Sequence, residues 1–207
     1  MLGVSALLLD HFNDYSTDQI KDLLATIHKT VQKSYNLLED TLLWASIQSE
    51  KINYSPILTD ISVYLAEIID IFEPVAEIKS IKLENKTKKV VNAYVDIYMF
   101  KAIVRNLISN AIKFTKRQGK IELTASQSGS TIVVKVKDNG IGMRQEAIDK
   151  LFHFSYSHTT VGTANEIGTG LGLMLCKEFV DKHNGTIWVE SEIDKGTTVS
   201  VSLPLPE

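Results

Sequence analysis

The sequence predicts an α+β protein: an N-terminal helical hairpin followed by an α/β sandwich with helices layered on a mixed sheet. Three observations carry this. Before residue 53 every stretch has a helical pattern. After it, apolar residues at helical spacing take turns with runs that alternate apolar and polar, which is the signature of helices and half-buried strands in one layered domain. Two turn signals, Ser128-Gly129-Ser130 and Asp194-Lys195-Gly196, join strand-like runs directly to one another, as hairpins require. The expected division is residues 1–52 and 53–207.

Taken in order, residues 4–13 read as the end of a helix and Asp14 to Asp18 as a turn. Ser16-Thr17-Asp18-Gln19 has capping-box spacing, with Ser16 as N-cap and Gln19 at N3. A long helix to about Ser49 should follow. Its apolar positions are Ile20, Leu24, Ile27, Val31, Tyr35, Leu38, Leu42 and Ala45, steps of three and four that form a bundle or coiled-coil seam. Such a helix is roughly 45 Å long. A hairpin of that length cannot bury its seam alone, so self-association into a four-helix bundle is expected, packing onto the downstream domain being the alternative.

Asn53-Tyr54-Ser55-Pro56 marks the boundary. Residues 59–73 read as a helix ended near Pro74, with Ile61, Leu65, Ile68, Ile69 and Phe72 on one face. Residues 81–84 alternate as a strand and Val90–Asn92 as a short one. A strong helix over 96–115 turns Met99, Ile103, Leu107, Ala111 and Phe114 inward. Strands 120–127 and 131–138 form the first hairpin. A helix over 145–152 precedes a polar stretch, 155–167, that suits either a lid over a ligand or a long surface loop; it holds Ser155, Ser157, His158, Thr159, Thr160 and Gly162. A helix from about 170 to 183 ends at Asn184-Gly185, a C-cap signal. Strands 186–191 and 197–203 close the chain.

Composition narrows the function. Of the 207 residues, 44% are apolar and 23% charged, with a net charge of −3, ordinary for a globular protein. A chain without a basic excess is not expected to bind nucleic acid; the local cluster Lys113, Lys116 and Arg117 also suits a solvated helix end. Cys176 is the only cysteine, which forbids an internal disulfide and argues against a Cys-built zinc site. The apolar run Met1–Leu9 is broken by Asp10 and has no basic flank. It falls short of the ~20 residues that span a bilayer, so no direct membrane contact is expected from this segment.

Four groups of residues can carry chemistry. Asp138-Asn139-Gly140-Ile141-Gly142 lies where a strand ends. Its carboxylate can accept a hydrogen bond from an exocyclic amine such as that of adenine, and Gly140 and Gly142 let the backbone approach a flat base; a plain loop has the same pattern. Gly168-Thr169-Gly170-Leu171-Gly172-Leu173 opens a helix. Its N–H groups and the helix N-terminus suit phosphate, while a hinge would look alike. Leu173 and the absence of a βαβ unit exclude the dinucleotide fingerprint. Asn106 and Asn110 share one helix face and could offer amide oxygens to Mg²⁺, although a solvated polar stripe has the same spacing. Lys113, on the next turn, could reach a phosphate as a point charge.

Asn106-x₃-Asn110, Asp138-x-Gly140-x-Gly142, Leu151-Phe152, Gly168-x-Gly170-x-Gly172 and Lys195-Gly196-Thr197 occur in this order. The set resembles the N, G1, F, G2 and trailing glycine boxes of the sensor histidine kinases of two-component systems, whose ATP-binding Bergerat fold is shared with gyrase, heat-shock chaperone and mismatch-repair ATPases. The resemblance spans residues about 56–205. Residues 1–52 resemble the later part of the family's dimerisation and histidine-phosphotransfer hairpin.

The resemblance implies ATP and Mg²⁺ as cofactors, a homodimer through the hairpin, and a response-regulator receiver domain as partner. It implies a cytoplasmic location, alone or as the cytoplasmic part of a membrane-bound sensor. Asp138 would receive the adenine amine, with Gly140 and Gly142 beside the base and Phe114 near it. Asn106 and Asn110 would hold the metal, and Asn106 and Lys113 would serve phosphoryl transfer. Gly168, Thr169, Gly170, Leu171 and Gly172 would hinge a lid and line the phosphates. Related hydrolases carry a water-activating Glu where this chain has Asn106, so transfer to a histidine, which brings its own nucleophile, is implied over hydrolysis. The family's acceptor motif, His-Glu/Asp-x-x-Thr/Ser-Pro, is missing. Leu2-Gly3-Val4-Ser5 resembles the segment just after it, so the acceptor is expected upstream. His11 and His28 lack that context, and His153, His158 and His183 are expected at the surface or in the lid. The competing readings are another ATPase or kinase on the same fold and a docking or dimerisation module with a vestigial ATP site.

Overall fold

The computed structural model describes residues 8, 14–27, 30–31, 34, 38, 53–152, 160–166 and 170–205. The chain divides into two compact units, Met1–Ser49 and Glu50–Glu207. No helix among the described residues is long and apolar enough to cross a membrane.

In the first unit residues 17–27 are helical, as are positions 30, 31, 34 and 38. The capping box forms reciprocally: the Ser16 N–H donates to Gln19 Oε1 at 2.8 Å, and the Gln19 N–H donates to Ser16 Oγ at 3.3 Å. Two otherwise orphaned donors at the helix start are thereby satisfied. Along the seam Leu24, Val31 and Leu38 are 51%, 46% and 58% exposed. The seam positions Tyr35, Leu42 and Ala45, and the histidines His11 and His28, lie outside the described residues.

The second unit runs β1 (Ile57–Asp60), α1 (Ile61–Ile78), β2 (Lys82–Asn85), β3 (Asn92–Val95), α2 (Ile97–Phe114), β4 (Lys120–Ser128), β5 (Thr131–Asp138), α3 (Gln145–Ile148), α4 (Gly172–Lys182), β6 (Thr186–Glu192) and β7 (Gly196–Pro204). Five strands form one sheet in the order β2-β4-β5-β7-β6. β2 runs parallel to β4 and the other neighbours are antiparallel. The side of the sheet carrying Ile121, Leu123, Ile132, Val134, Val136, Val201 and Leu203 is buried. The helices supply the facing layer: Ile61, Leu65 and Ile68 from α1, Phe100, Ile103, Val104 and Leu107 from α2, and Leu175 and Phe179 from α4. α2 packs against both α1 and α4. This is the expected sandwich.

Several boundaries differ from the sequence reading. β1 pairs antiparallel with β3, Ile57 opposite Val95. Ile57 and Leu58 are both exposed, so the strand lacks the alternation that would reveal it. The strand expected at Val90–Asn92 lies at Asn92–Val95, where Ala93 and Val95 face inward. α1 does not stop at Pro74 but runs through it to Ile78. Ala76 is buried beyond the proline, and the end is closed by a Schellman motif: Ser80 N–H to the Glu77 carbonyl at 2.8 Å and Ile81 N–H to the Ala76 carbonyl at 2.9 Å. These gains offset the hydrogen bond that Pro74 removes. α3 ends at Ile148, with turn geometry to Phe152. Phe114 is half-buried rather than inward. The Asn184-Gly185 cap forms as expected, with Asn184 taking the left-handed conformation at φ +54° and N–H bonds to Asp181 and Val180.

His183 is 2% exposed, not a surface residue. It ends α4 but is tied to the start of α2: the Asp96 N–H donates to His183 Nε2 at 3.0 Å, and His183 Nδ1 lies 2.7 Å from the Phe179 carbonyl. That pairing needs the neutral ring with its proton on Nδ1. Burial pushes the imidazole pKa below its ordinary 6.5, against the Phe179 carbonyl and the Asp96 charge, which pull it up. The unfolded chain therefore binds this proton more tightly. Stability is full above pH 6.5 and declines as pH falls from there toward the lower folded-state value. We expect His183→Gln, which keeps an acceptor for Asp96, to lose this decline. Urea midpoints of the two proteins measured from pH 7.5 to 5.5 should converge on acidification; parallel lines would refute the assignment.

Candidate functional site

The two-residue period of β5 puts Ile132, Val134, Val136 and Asp138 on one buried face. A carboxylate at the end of an apolar row needs hydrogen-bond partners. Asp138 Oδ1 accepts from the Gly140 N–H at 2.7 Å and from the Thr197 N–H at 3.2 Å. Burial pushes its pKa above the usual carboxylate value, while those two N–H groups pull it down. The group is held in one orientation at the edge of the core.

The surrounding loops approach it closely. A Cβ on Gly140 would lie 2.4 Å from the Phe114 carbonyl oxygen, and one on Gly142 1.9 Å from the Glu192 carbonyl oxygen. A Cβ on Gly196 would lie 2.0 Å from the Asp138 carbonyl oxygen. The Ile141 N–H donates to Phe114 O at 3.2 Å, and Asp194 N–H to Ile141 O at 2.8 Å. Met143 N–H donates to Ser191 Oγ at 2.9 Å. Lys195-Gly196-Thr197 is therefore a wall of the site as well as a turn. The Lys195-Gly196-Thr197 pattern named Thr197 from the sequence, but not the bond its N–H makes to Asp138.

Asn106, Asn110, Lys113 and Phe114 line the last turns of α2, all half-buried. A Cβ on Gly172 would lie 2.2 Å from Asn106 Oδ1 and 2.7 Å from its Nδ2, so the first residue of α4 abuts the first asparagine. Gly170 takes φ +79° and Leu171 is the N-cap of α4. Gly168 and Thr169 lie outside the described residues, as do Ser155, Ser157, His158, Thr159 and His153. Lys113 Nζ sits 4.6 Å from the Phe114 ring centroid. Burial lowers its pKa, and the charge of Glu166 acts in the opposite sense. Among the described residues no group of three His, Cys, Asp or Glu could hold a metal ion.

The C-terminus of α2 ties these parts together. The last four carbonyls of a helix lack intrahelical partners, and here each finds one elsewhere. Counting the Thr115 cap, Thr115 O accepts from the Thr163 hydroxyl at 2.7 Å. Ile112 O accepts from Lys79 Nζ at 2.7 Å. Lys113 O accepts from the Thr163 N–H at 3.0 Å, and Phe114 O from the Ile141 N–H. Lys79 belongs to no stretch singled out above, and Thr163 and Glu166 lie in the polar stretch 155–167 but are not among its residues named from the sequence. The signal for Lys79 is a lysine that follows an amphipathic helix, which sequence patterning cannot separate from a solvated one.

Residues 96–207 match the family described as Histidine kinase-, DNA gyrase B-, and HSP90-like ATPase. The chain is 31% identical over 96% of its length to Sensor histidine kinase YvrG of Bacillus subtilis (strain 168), of which it covers 34%. It thus spans about a third of that curated relative. Among solved structures it is similar to the Acinetobacter baumannii histidine kinase AdeS, with TM-score 0.75, 18% identity, and coverage of 100% of this chain and 93% of that one. It is also similar to histidine kinase ThkA in complex with response regulator protein TrrA, with TM-score 0.72, 19% identity, and coverage of 98% and 57%.

Gly142 and Gly129 give a controlled comparison. Their φ values, +63° and +62°, match, but an added Cβ meets the Glu192 backbone at Gly142 and open space at Gly129. Gly129→Ala should incur only the left-handed backbone cost, about 1 kcal/mol. Gly142→Ala should be a further ~1–3 kcal/mol less stable from overpacking. Urea unfolding of the two variants reads the difference; equal losses would mean that the loop is not clamped.

Proposed function

The chain belongs to the Histidine kinase-, DNA gyrase B-, and HSP90-like ATPase family, and we propose that it is the ATP-binding catalytic core of a sensor histidine kinase. Membership makes ATP the nucleotide. The observation that carries the reading is Asp138, a buried carboxylate with Oδ1 held by two backbone donors. Its second oxygen is then the acceptor for the adenine amine, and Gly140 and Gly142 allow the loop to lie against the base. Phe114, whose carbonyl braces this loop, closes the same end of the site.

From Phe114 back to Asn106 is about 12 Å along the helix axis, and in this reading that separation takes the asparagines from the base to the phosphates. Their neutral, hard amide oxygens, one turn apart, fit Mg²⁺, which takes few protein ligands and completes its shell with phosphate and water. Bound there, it would neutralise phosphate charge. Lys113 adds a positive charge on the same face. Gly168, Thr169, Gly170, Leu171 and Gly172 would offer N–H groups to the phosphates where α4 begins. Asn106 carries no proton-accepting carboxylate to activate water. A histidine nitrogen attacking the γ-phosphorus needs none, since its lone pair is already available near neutral pH. The chain's residues then act by positioning and by charge stabilisation.

In this reading the phosphoryl group passes to a histidine and then to a response-regulator receiver domain, in the cytoplasm. The ThkA–TrrA complex and the YvrG match support it. A homodimer through the N-terminal helices is supported by the exposure of Leu24, Val31 and Leu38 on one seam.

Calorimetric titration with a non-hydrolysable ATP analogue and Mg²⁺ tests the site. Wild type should bind in the micromolar range. Asp138→Asn should bind roughly 10- to 100-fold more weakly, the loss of a hydrogen bond to a charged acceptor. A folded wild type that does not bind would leave only the docking-module reading. For the dimer, sedimentation of Leu24→Glu/Leu38→Glu should show monomer at a concentration where wild type is dimeric; a wild type that stays monomeric at high micromolar concentration would remove the four-helix arrangement.

A further inference from the structure

We infer that Lys79 is a positioning residue of the nucleotide site: it captures the Glu166 carboxylate and so keeps that charge from neutralising the Lys113 ammonium. This rests on the nucleotide-binding role proposed above for Lys113.

Lysine is among the residues least often buried, yet Lys79 is 5% exposed. Its root is held on both sides. The backbone N–H caps α1 on Ala76 O at 3.1 Å, and the carbonyl accepts from the Gln118 N–H at 3.1 Å. Its ammonium has three donors, and they are fully engaged. Ile112 O lies at 2.7 Å, Thr163 Oγ1 at 2.6 Å and Glu166 Oε1 at 3.0 Å, with Lys113 O at 3.3 Å. A positive charge against the terminal carbonyls of α2 is also favoured by the helix dipole.

Glu166 is placed between two lysines. Oε1 pairs with Lys79, while Oε2 accepts from the Ala164 N–H at 2.7 Å. The spot where a Gly162 Cβ would stand is 2.5 Å from Glu166 Oε2 and 2.6 Å from Lys113 Cγ. The carboxylate and the Lys113 stem therefore flank one point, with no side chain on Gly162 to separate them. Burial pushes the Glu166 pKa up, but the Lys79 hydrogen bond and backbone N–H groups outweigh it and hold the pKa low, so the group is an anion at neutral pH. The residue that keeps it occupied is Lys79. Without that ammonium, Glu166 is released toward Lys113, on which its charge already acts, and a Lys113 paired to Glu166 is unavailable to phosphate.

The inference predicts a rescue that loss of packing would not produce. The non-hydrolysable ATP analogue with Mg²⁺ is titrated into the full chain as wild type, Lys79→Met, Glu166→Gln and the double variant, with folding checked by circular dichroism. We expect Lys79→Met to bind at least tenfold more weakly. Glu166→Gln and the double variant should bind within about threefold of wild type, because the competing anion is gone. Lys79→Gln replaces Lys79→Met in the same comparison if the latter does not fold. A double variant as weak as Lys79→Met, an unchanged Lys79→Met, or the failure of both Lys79 variants to fold while Glu166→Gln folds would overturn the inference and leave Lys79 a structural clamp. A wild type that does not bind the analogue would instead refute the nucleotide-site reading itself, and this inference with it.

Discussion

The structure depends on how one helix ends. α2 carries Asn106, Asn110, Lys113 and Phe114, and its last carbonyls cannot be satisfied within the helix. They are shared among the Lys79 ammonium, the segment at Thr163 and the loop at Ile141. Each partner comes from a different part of the chain. The requirement that buried polar groups be paired thus pulls the end of α1, the loop after β5 and the segment before α4 to one place. The proposed nucleotide site is assembled around that place.

A second constraint acts at Asp138. A carboxylate buried on the sheet face would be costly without donors, and its donors are backbone N–H groups of its own loop and of Thr197. For the Thr197 N–H to arrive, the β6–β7 turn must pass the Asp138 backbone closer than a Cβ allows, hence Gly196. For Gly140 to donate, the loop must pass the Phe114 carbonyl equally closely. The glycines of these motifs do two jobs at once. They permit the contacts that orient the carboxylate, and in the proposed reading they leave room beside it for a base.

Much of this was legible in the sequence where the signal is local. The capping box at Ser16 and Gln19, the turn at Gly129 and the Asn184-Gly185 cap each depend on a few neighbouring residues, and each forms. Asp138 could be placed on the inward face by counting in twos along β5. What could not be read is long-range. Ile57 and Leu58 are exposed and show no strand alternation; β1 exists because β3 is there to pair with it. Pro74 is a helix stop by local rules, and only the burial of Ala76 and the closure on Ile81 carry α1 past it. His183 has an ordinary surface context in sequence, and its burial follows from Asp96, distant in the chain.

By itself, then, the sequence determined the α+β class, the helix and strand periods, the order of the glycine and asparagine boxes and the family they indicate, because periodicity and motif spacing are properties of neighbours along the chain. Only the tertiary structure decided that Thr197 orients Asp138, that Gly172 abuts Asn106 and that Lys79 is buried between Ile112 and Glu166. Those contacts satisfy hydrogen-bonding groups stranded at element ends, and which groups meet there is set by the packing of helices on the sheet.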